Sequence, residues 1–518
     1  MGEELGFRED YIFWALAHYF ISDQEYRMIQ LSKGQDELWL EKLEHKEAKV
    51  IRLLKYNLDW SNWMQRDIEN TAQKAESIRR QLGRKELPIL NIYVTAYPPV
   101  DDYEFRILAP FMDEKGKASV QTLIIDSSHP ESINKIEAIF HDPLSLPGGE
   151  FTETDADGVK HATLSKAVSK AKKEKALFNF GKPLFTYIFV FIQIAVFMLL
   201  EWKGGSTDTS TLIKYGAKFN PLILEGEWWR FFTPIVLHIG LLHLLMNTLA
   251  LYYLGSAVER VYGNLRFLFI YILAGFGGTL ASFIFSPTLS AGASGAIFGC
   301  FGALLYFGLI YPKLFFRTMG FNILVVLGIN LAFGFTIPGI DNAGHIGGLI
   351  GGFLATGIVH FPKKKKPWLQ FLFLAVTASL VAGLLKYGFN EPGNLMNEQT
   401  AMVMAQEYIK TEEYEKARSL LANFIKEEEA SPEVYFLLSY AEIKGGDLQK
   451  AKEHLDRVID EKAAFHEAHY NLALIYLEEE NTAKAKQHAQ KAADLNPGQE
   501  EYQQLLEQIA DWETSGQQ

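Results

Sequence analysis

The sequence predicts a polytopic α-helical membrane protein, a seven-span bundle with a soluble α/β domain before it and an all-α repeat solenoid after it. Three observations carry that reading: seven apolar stretches in one block, charge crowded into the two ends, and a 34-residue period near the C-terminus. At 518 residues the chain is too long for one core. Its averages, 48% hydrophobic and 22% charged, hide the segregation of apolar residues into roughly 184–388.

Residues 1–165 read as a separate cytosolic domain. Helical patterns occupy roughly 8–30, 37–47 and 60–83, and strand-like runs occupy 49–54, 89–97 and 120–126. The Pro/Gly/Asp-rich stretch 141–158 reads as a linker or loop. His18, His45, His129, His141 and His161 lack ligand spacing, so surface or core roles are expected and no metal site. The opening MGEELGFRED lacks the basic start and apolar run of a signal peptide. Gly2 begins what resembles a myristoylation signal, but Gly6 stands where Ser or Thr is needed. A regulatory or sensing role is expected for this domain, its ligand unknown. A basic juxtamembrane linker follows at 166–182.

Within 183–388, apolar stretches at about 184–202, 236–256, 265–286, 290–311, 319–337, 341–361 and 367–388 each approach the ~20 residues that cross a bilayer. Basic residues set the orientation. Lys170, Lys172, Lys173, Lys175 and Lys182 precede the first span, and Arg260 with Arg266, Lys313 with Arg317, and Lys363 to Lys366 follow the second, fourth and sixth. The long loop 203–235 runs against the trend with Lys203, Lys214, Lys218 and Arg230. The N-terminal domain is therefore expected in the cytosol and the C-terminal region outside. Cys300, the one cysteine, lies in an apolar span and reads as a small buried hydrophobe.

Residues 398–514 repeat: Ala417, Ala451 and Ala485 are 34 apart, as are Ala405, Ser439 and Ala473, and Pro497 closes the last unit. Small residues at two fixed places let paired helices approach, and the period matches tetratricopeptide (TPR) repeats. Protein or peptide clients are expected in a concave groove. The net charge of -12 and the lack of a basic, aromatic-interleaved stripe argue against nucleic acid.

Reactive groups inside a bilayer are costly and so are functional candidates. Ser294 lies between Gly292 and Gly295 at the start of the fourth span; His345 opens the sixth; His243 and Asn247 share one face of the second. These three spans run in the same direction, so all three groups are expected at similar depth near the outer face. Gly344, Gly348 and Gly352 form a ridge that can meet Gly295 and Gly299.

At these residues the chain resembles the rhomboid intramembrane serine proteases over about 183–360. The G-x-S-G motif is matched by Gly292 to Gly295, the G-H-x-x-G motif by Gly344, His345 and Gly348, and the H-x-x-x-N element by His243 and Asn247. Trp229 and Arg230 match a Trp-Arg pair in the first loop, where an anchoring role is expected. The resemblance implies a Ser-His dyad without cofactor: Ser294 the nucleophile, His345 its base, and His243, Asn247 and the Ser294 backbone the oxyanion hole. Phe298 stands where the family often has Tyr packed on the histidine. Asp341 reads as a helix cap rather than a third catalytic member. By the same resemblance, the fifth span and loop 338–341 act as lateral gate and cap.

Transmembrane substrates, the lipid bilayer and a multi-pass place in a bacterial plasma membrane follow from this reading. The alternative is a non-catalytic membrane scaffold that recruits clients through its repeats; retention of both Ser294 and His345 argues against it. A transporter would predict mid-bilayer acidic residues and an inverted repeat, and neither is visible.

Overall fold

The computed structural model describes residues 6–81, 85–112, 116–144, 151–337, 339–390 and 396–515. Gly2, residues 145–150 of the expected linker, and Pro338 of the expected gate loop lie outside the described residues. The chain forms two compact units, Met1–Leu177 and Phe178–Gln518.

The first unit is an α/β domain. Its elements are α1 (Phe7–Ser22), β1 (Arg27–Leu31), β2 (Glu37–Glu41), β3 (Val50–Lys55), α2 (Ser61–Gln81), β4 (Leu87–Thr95), α3 (Glu104–Ile107), β5 (Phe111–Met112), β6 (Ala118–Asp126), α4 (Asn134–Phe140) and α5 (Glu153–Phe178). The sheet runs β1-β2-β3-β4-β6-β5, with β3, β4 and β6 parallel and the other pairs antiparallel. Both faces are covered, as parallel strands require. Leu90, Ile92 and Val94 of β4 join the core beneath α1, while Ile89 and Tyr93 join the core against α2, the period-2 alternation of a strand.

Three local expectations fail here. The helix expected to reach residue 30 stops at Ser22, and 37–47 begins with strand β2. LWLEKL satisfies either period over so few residues; pairing of β2 with both β1 and β3 decides for the strand. The loop expected over 141–158 becomes helix from Glu153, where Thr152 Oγ1 and Asp155 exchange hydrogen bonds across the first turn.

The second unit holds the apolar helices: α6 (Phe185–Lys203), α7 (Thr209–Lys214), α8 (Asn220–Leu224), α9 (Leu241–Ala250), α10 (Ser256–Tyr262), α11 (Asn264–Phe285), α12 (Ser294–Ile310), α13 (Pro312–Thr318), α14 (Gly320–Thr336), α15 (Asn342–Val359) and α16 (Pro367–Asn390). A π-helical turn at Leu251–Gly255 joins α9 to α10 as one span. Among the described residues, five helices are long and apolar enough to cross a membrane, and the pair α13–α14, bent by 74°, makes a sixth if counted as one span. α12, at 17 residues, is shorter. The count of seven is thus not reached by length and composition, because the central α12 is preceded by a loop rather than by another helical turn.

Glu259 of α10 is fully buried and accepts hydrogen bonds from the Leu184, Phe185 and Thr186 N–H groups, each at 2.9 Å. A carboxylate thus caps the positive N-terminus of α6 from another helix.

The repeats are α17 (Glu398–Lys410), α18 (Tyr414–Glu427), α19 (Pro432–Lys444), α20 (Leu448–Glu461), α21 (His466–Glu478) and α22 (Thr482–Leu495), followed by α23 (Glu500–Ser515). Ala405, Ala417, Ser439, Ala451, Ala473 and Ala485 are all fully buried. α17 packs on two loops: Met404 clusters with Ile213 and Phe219 between α6 and α9, and Thr400 Oγ1 donates to the Pro287 carbonyl between α11 and α12 at 3.0 Å. The array and the bundle therefore belong to one unit.

Candidate active site

Ser294 is the first residue of α12, His345 the fourth of α15 and His243 the third of α9. Each helix delivers its polar group from the first turn, where backbone N–H groups have no intrahelical partner. The Ser294 N–H is one of these.

Glycine contacts bring α11, α12 and α15 together. A Cβ on Gly348 would lie 2.0 Å from the Gly295 carbonyl oxygen, and one on Gly352 would lie 2.2 Å from that of Gly299. Gly278 of α11 meets the Gly344 oxygen in the same way, at 2.8 Å. Without a hydrophobic effect between helices in lipid, such backbone contact is a main source of cohesion. The ridge fixes the separation of the helices that carry Ser294 and His345.

The Phe298 ring, one turn after Ser294, stacks on the His345 ring with centroids 4.2 Å apart and planes at 11°. Stacking sets the tilt of the imidazole and covers one face of it. His345 Nδ1 is buried without a partner. No hydrogen bond joins Ser294 Oγ to His345 among the described residues; such bonds are often long before substrate binds. Asp341 caps α15, accepting from the Gly344 N–H at 2.8 Å, so its carboxylate serves the helix terminus.

On the other side of the serine, Gly292 has φ +157°, and a Cβ there would meet His243 Cε1 at 2.7 Å. Only glycine lets the loop pass this close to the imidazole. Asn247 is buried and donates to the His243 carbonyl at 3.0 Å, leaving its second amide hydrogen available. A cavity of ≈ 20 Å³ lined by Ser290, Gly292, Ser294, Asp341 and Gly344 is about the size of one water.

The loop that enters α12 is tied down by Lys218 and Asn220, which spacing arguments overlooked. Lys218 is fully buried and donates to the Ser286 and Thr288 carbonyls at 2.5 and 3.0 Å, and its backbone pairs with Ser290. Burial pushes its amine down to about 7. Asn220 Nδ2 donates to the Phe283 and Ser286 carbonyls. Arg230 is buried, reaching the Ile213 and Ala217 carbonyls at 2.7 and 2.9 Å with its guanidinium 4.5 Å from the Trp229 ring. Trp229 remains half exposed. Lys218 and Arg230 are two of the four basic residues that ran against the charge bias; both are spent on loop carbonyls. His238 is fully buried and lies edge-on to His243 at 5.4 Å. Its spacing of five from His243 was the available signal.

A rhomboid domain is matched over residues 225–362, and tetratricopeptide repeats over 402–464 and 442–509. The chain is similar to the rhomboid protease GluP of Bacillus subtilis (strain 168), 42% identical over 440 residues that cover 84% of this chain and 85% of the relative. It is also similar to the rhomboid protease AarA of Providencia stuartii, 30% identical over 44% of this chain and 91% of that one. The putative rhomboid protease YdcA of Bacillus subtilis (strain 168) is 32% identical over 35% of this chain and 86% of its own length.

Proposed function

The chain belongs to the rhomboid family and is a rhomboid intramembrane serine protease, and we propose that it cuts transmembrane segments of other proteins with a Ser294–His345 dyad. The observation that carries this reading is the glycine-sealed contact of α12 and α15, with Phe298 stacked on His345 one turn from Ser294.

In this reading His345 takes the Ser294 hydroxyl proton as the oxygen attacks the scissile carbonyl, then gives it to the leaving amine. The Ser294 N–H, the His243 ring and the free amide hydrogen of Asn247 receive the oxyanion. Loss of one such donor typically costs about 10²–10³ in rate. The water-sized space beside Ser294 would hold the nucleophile for deacylation.

Helical substrates hide their carbonyls, so segments with Gly or Pro near the outer face, and a small residue before the cut, would be preferred. α14 buries only Gly320, Leu327 and Gly334, a thinly packed helix suited to a lateral gate. Seven spans result if α12 and the α13–α14 pair each count as one. The N-terminal domain would then face the cytosol and the repeats the outside of a bacterial plasma membrane, with the repeats recruiting protein clients and residues 1–165 regulating.

The test is cleavage of a tagged single-span substrate in membranes by the parent chain, Ser294→Ala and His345→Ala. Both variants should lose cleavage while remaining membrane-inserted. Equal cutting by either variant would discard the dyad.

A further inference from the structure

At the end of the bundle away from Ser294, the loop from α15 to α16 has an unusual backbone. His360 and Lys363 both have positive φ, 48° and 63°. Non-glycine residues there cost on the order of 1 kcal/mol each and persist only where surrounding structure enforces them. The loop wraps a pocket of ≈ 420 Å³ lined by Arg266, Lys363, Lys364 and Lys365 with Val359 and Phe361 as apolar walls.

Four cations line this pocket and no carboxylate does. None of the four makes an ion pair among the described residues. Uncharged contacts position them instead. Arg266 Nε donates to the Val359 carbonyl at 3.3 Å. Lys364 Nζ lies 4.7 Å from the centre of the Tyr311 ring, and Lys363 Nζ lies 5.9 Å from that of Phe180. Gln370 Nε2 holds the loop by donating to the Ile358 carbonyl at 2.7 Å. Behind the loop His360 is buried, with Nδ1 2.7 Å from Tyr306 Oη and Nε2 unpartnered.

We propose that this pocket binds a phosphoryl group, with the arginine fork and lysine ammoniums as donors. The source the site fits is the headgroup of an anionic phospholipid. The pocket lies where three apolar helices meet their polar ends, its walls are apolar on one side, and Trp368 begins α16 with 76% of its surface exposed, as interfacial anchors do. A diffuse attraction of surface lysines for anionic lipid needs neither the bent loop nor Arg266, which comes from the start of α11.

The test uses the full chain in vesicles of phosphatidylcholine with and without phosphatidylglycerol, reading retained lipid by native mass spectrometry after gentle extraction. Arg266→Gln and Lys364→Gln should each reduce retained phosphatidylglycerol about tenfold, the loss of one charge-assisted contact. Lys313→Gln, an exposed charge in the first turn of α13, should leave it unchanged. Arg266→Lys and Lys364→Arg keep the charge and should retain most of the lipid, which separates binding from misfolding. Inorganic phosphate that displaces the lipid at millimolar concentration would support the same phosphoryl site with a soluble anion as its source. Equal losses for Arg266→Gln, Lys364→Gln and Lys313→Gln, or no retained lipid and no phosphate binding in the parent, would overturn the proposal.

Discussion

The membrane core and the repeat array solve one packing problem with different residues. Both set helices close together through small side chains at a fixed spacing. In the core the small residue is glycine: Gly348 and Gly352 touch the backbone oxygens of Gly295 and Gly299. In the array it is alanine, with Ala417, Ala451 and Ala485 buried among leucines and aromatics such as Leu455, Leu472 and Tyr435. Water drives the array together through its larger apolar neighbours, so a methyl at the contact is enough. Lipid offers no such drive, so the core helices must approach until backbone meets backbone. The core is therefore the less forgiving of the two, and the proposed catalytic groups ride on it.

The largest effect expected from this contrast is at Gly348. Gly348→Ala places a methyl against a backbone oxygen that has no rotamer with which to yield. It should cost at least the ~1–3 kcal/mol of overpacking and lower cleavage about 100-fold, read by thermal unfolding in detergent and by substrate cleavage. Survival of full activity would remove the claim that backbone contact positions the dyad. Ala451→Leu in the array should cost about 1–3 kcal/mol of the array's own stability, seen by hydrogen exchange of α19–α21. Cleavage of a short transmembrane substrate that lacks an extramembrane client segment should stay at the parent rate; a parallel loss would mean that the array and core do not differ in this way. The smallest of the three is Lys218→Met, which leaves the Thr288 carbonyl without its Lys218 donor and the Ser286 carbonyl with Asn220 Nδ2 alone, at a cost of about 1 kcal/mol. It should lower kcat more than it raises KM, because the loop enters Ser294; an unchanged kcat would show that the glycine contacts alone set the nucleophile.

The repeat period and the apolar block were legible because each recurs many times, and recurrence survives local ambiguity. The residues of the candidate site stood out for a related reason. Ser294, His345 and His243 are polar groups in segments where polarity is costly, so they stand out against leucine and glycine. Residues that matter through a single distant partner left no such mark. Lys218 looked like a topology signal in the loop, yet it is buried on loop carbonyls. Glu259 passed unnoticed beside Arg260 and proved to cap α6. The strand β2 was mistaken for helix because LWLEKL is too short to fix its own period.

By itself, then, the sequence determined which segments are apolar enough for lipid, where the repeats fall, and which polar groups are candidates for chemistry. These are properties of composition and period, set by the chain's own covalent order. Only the tertiary structure decided that α17 docks on the loop beside the serine, that Phe298 stacks on His345, and that Asp341 caps a helix. Each of these depends on two segments far apart in the chain meeting in one place. A carboxylate or an amine has no fixed role until packing decides whether its nearest partner is water, a helix end or another charge.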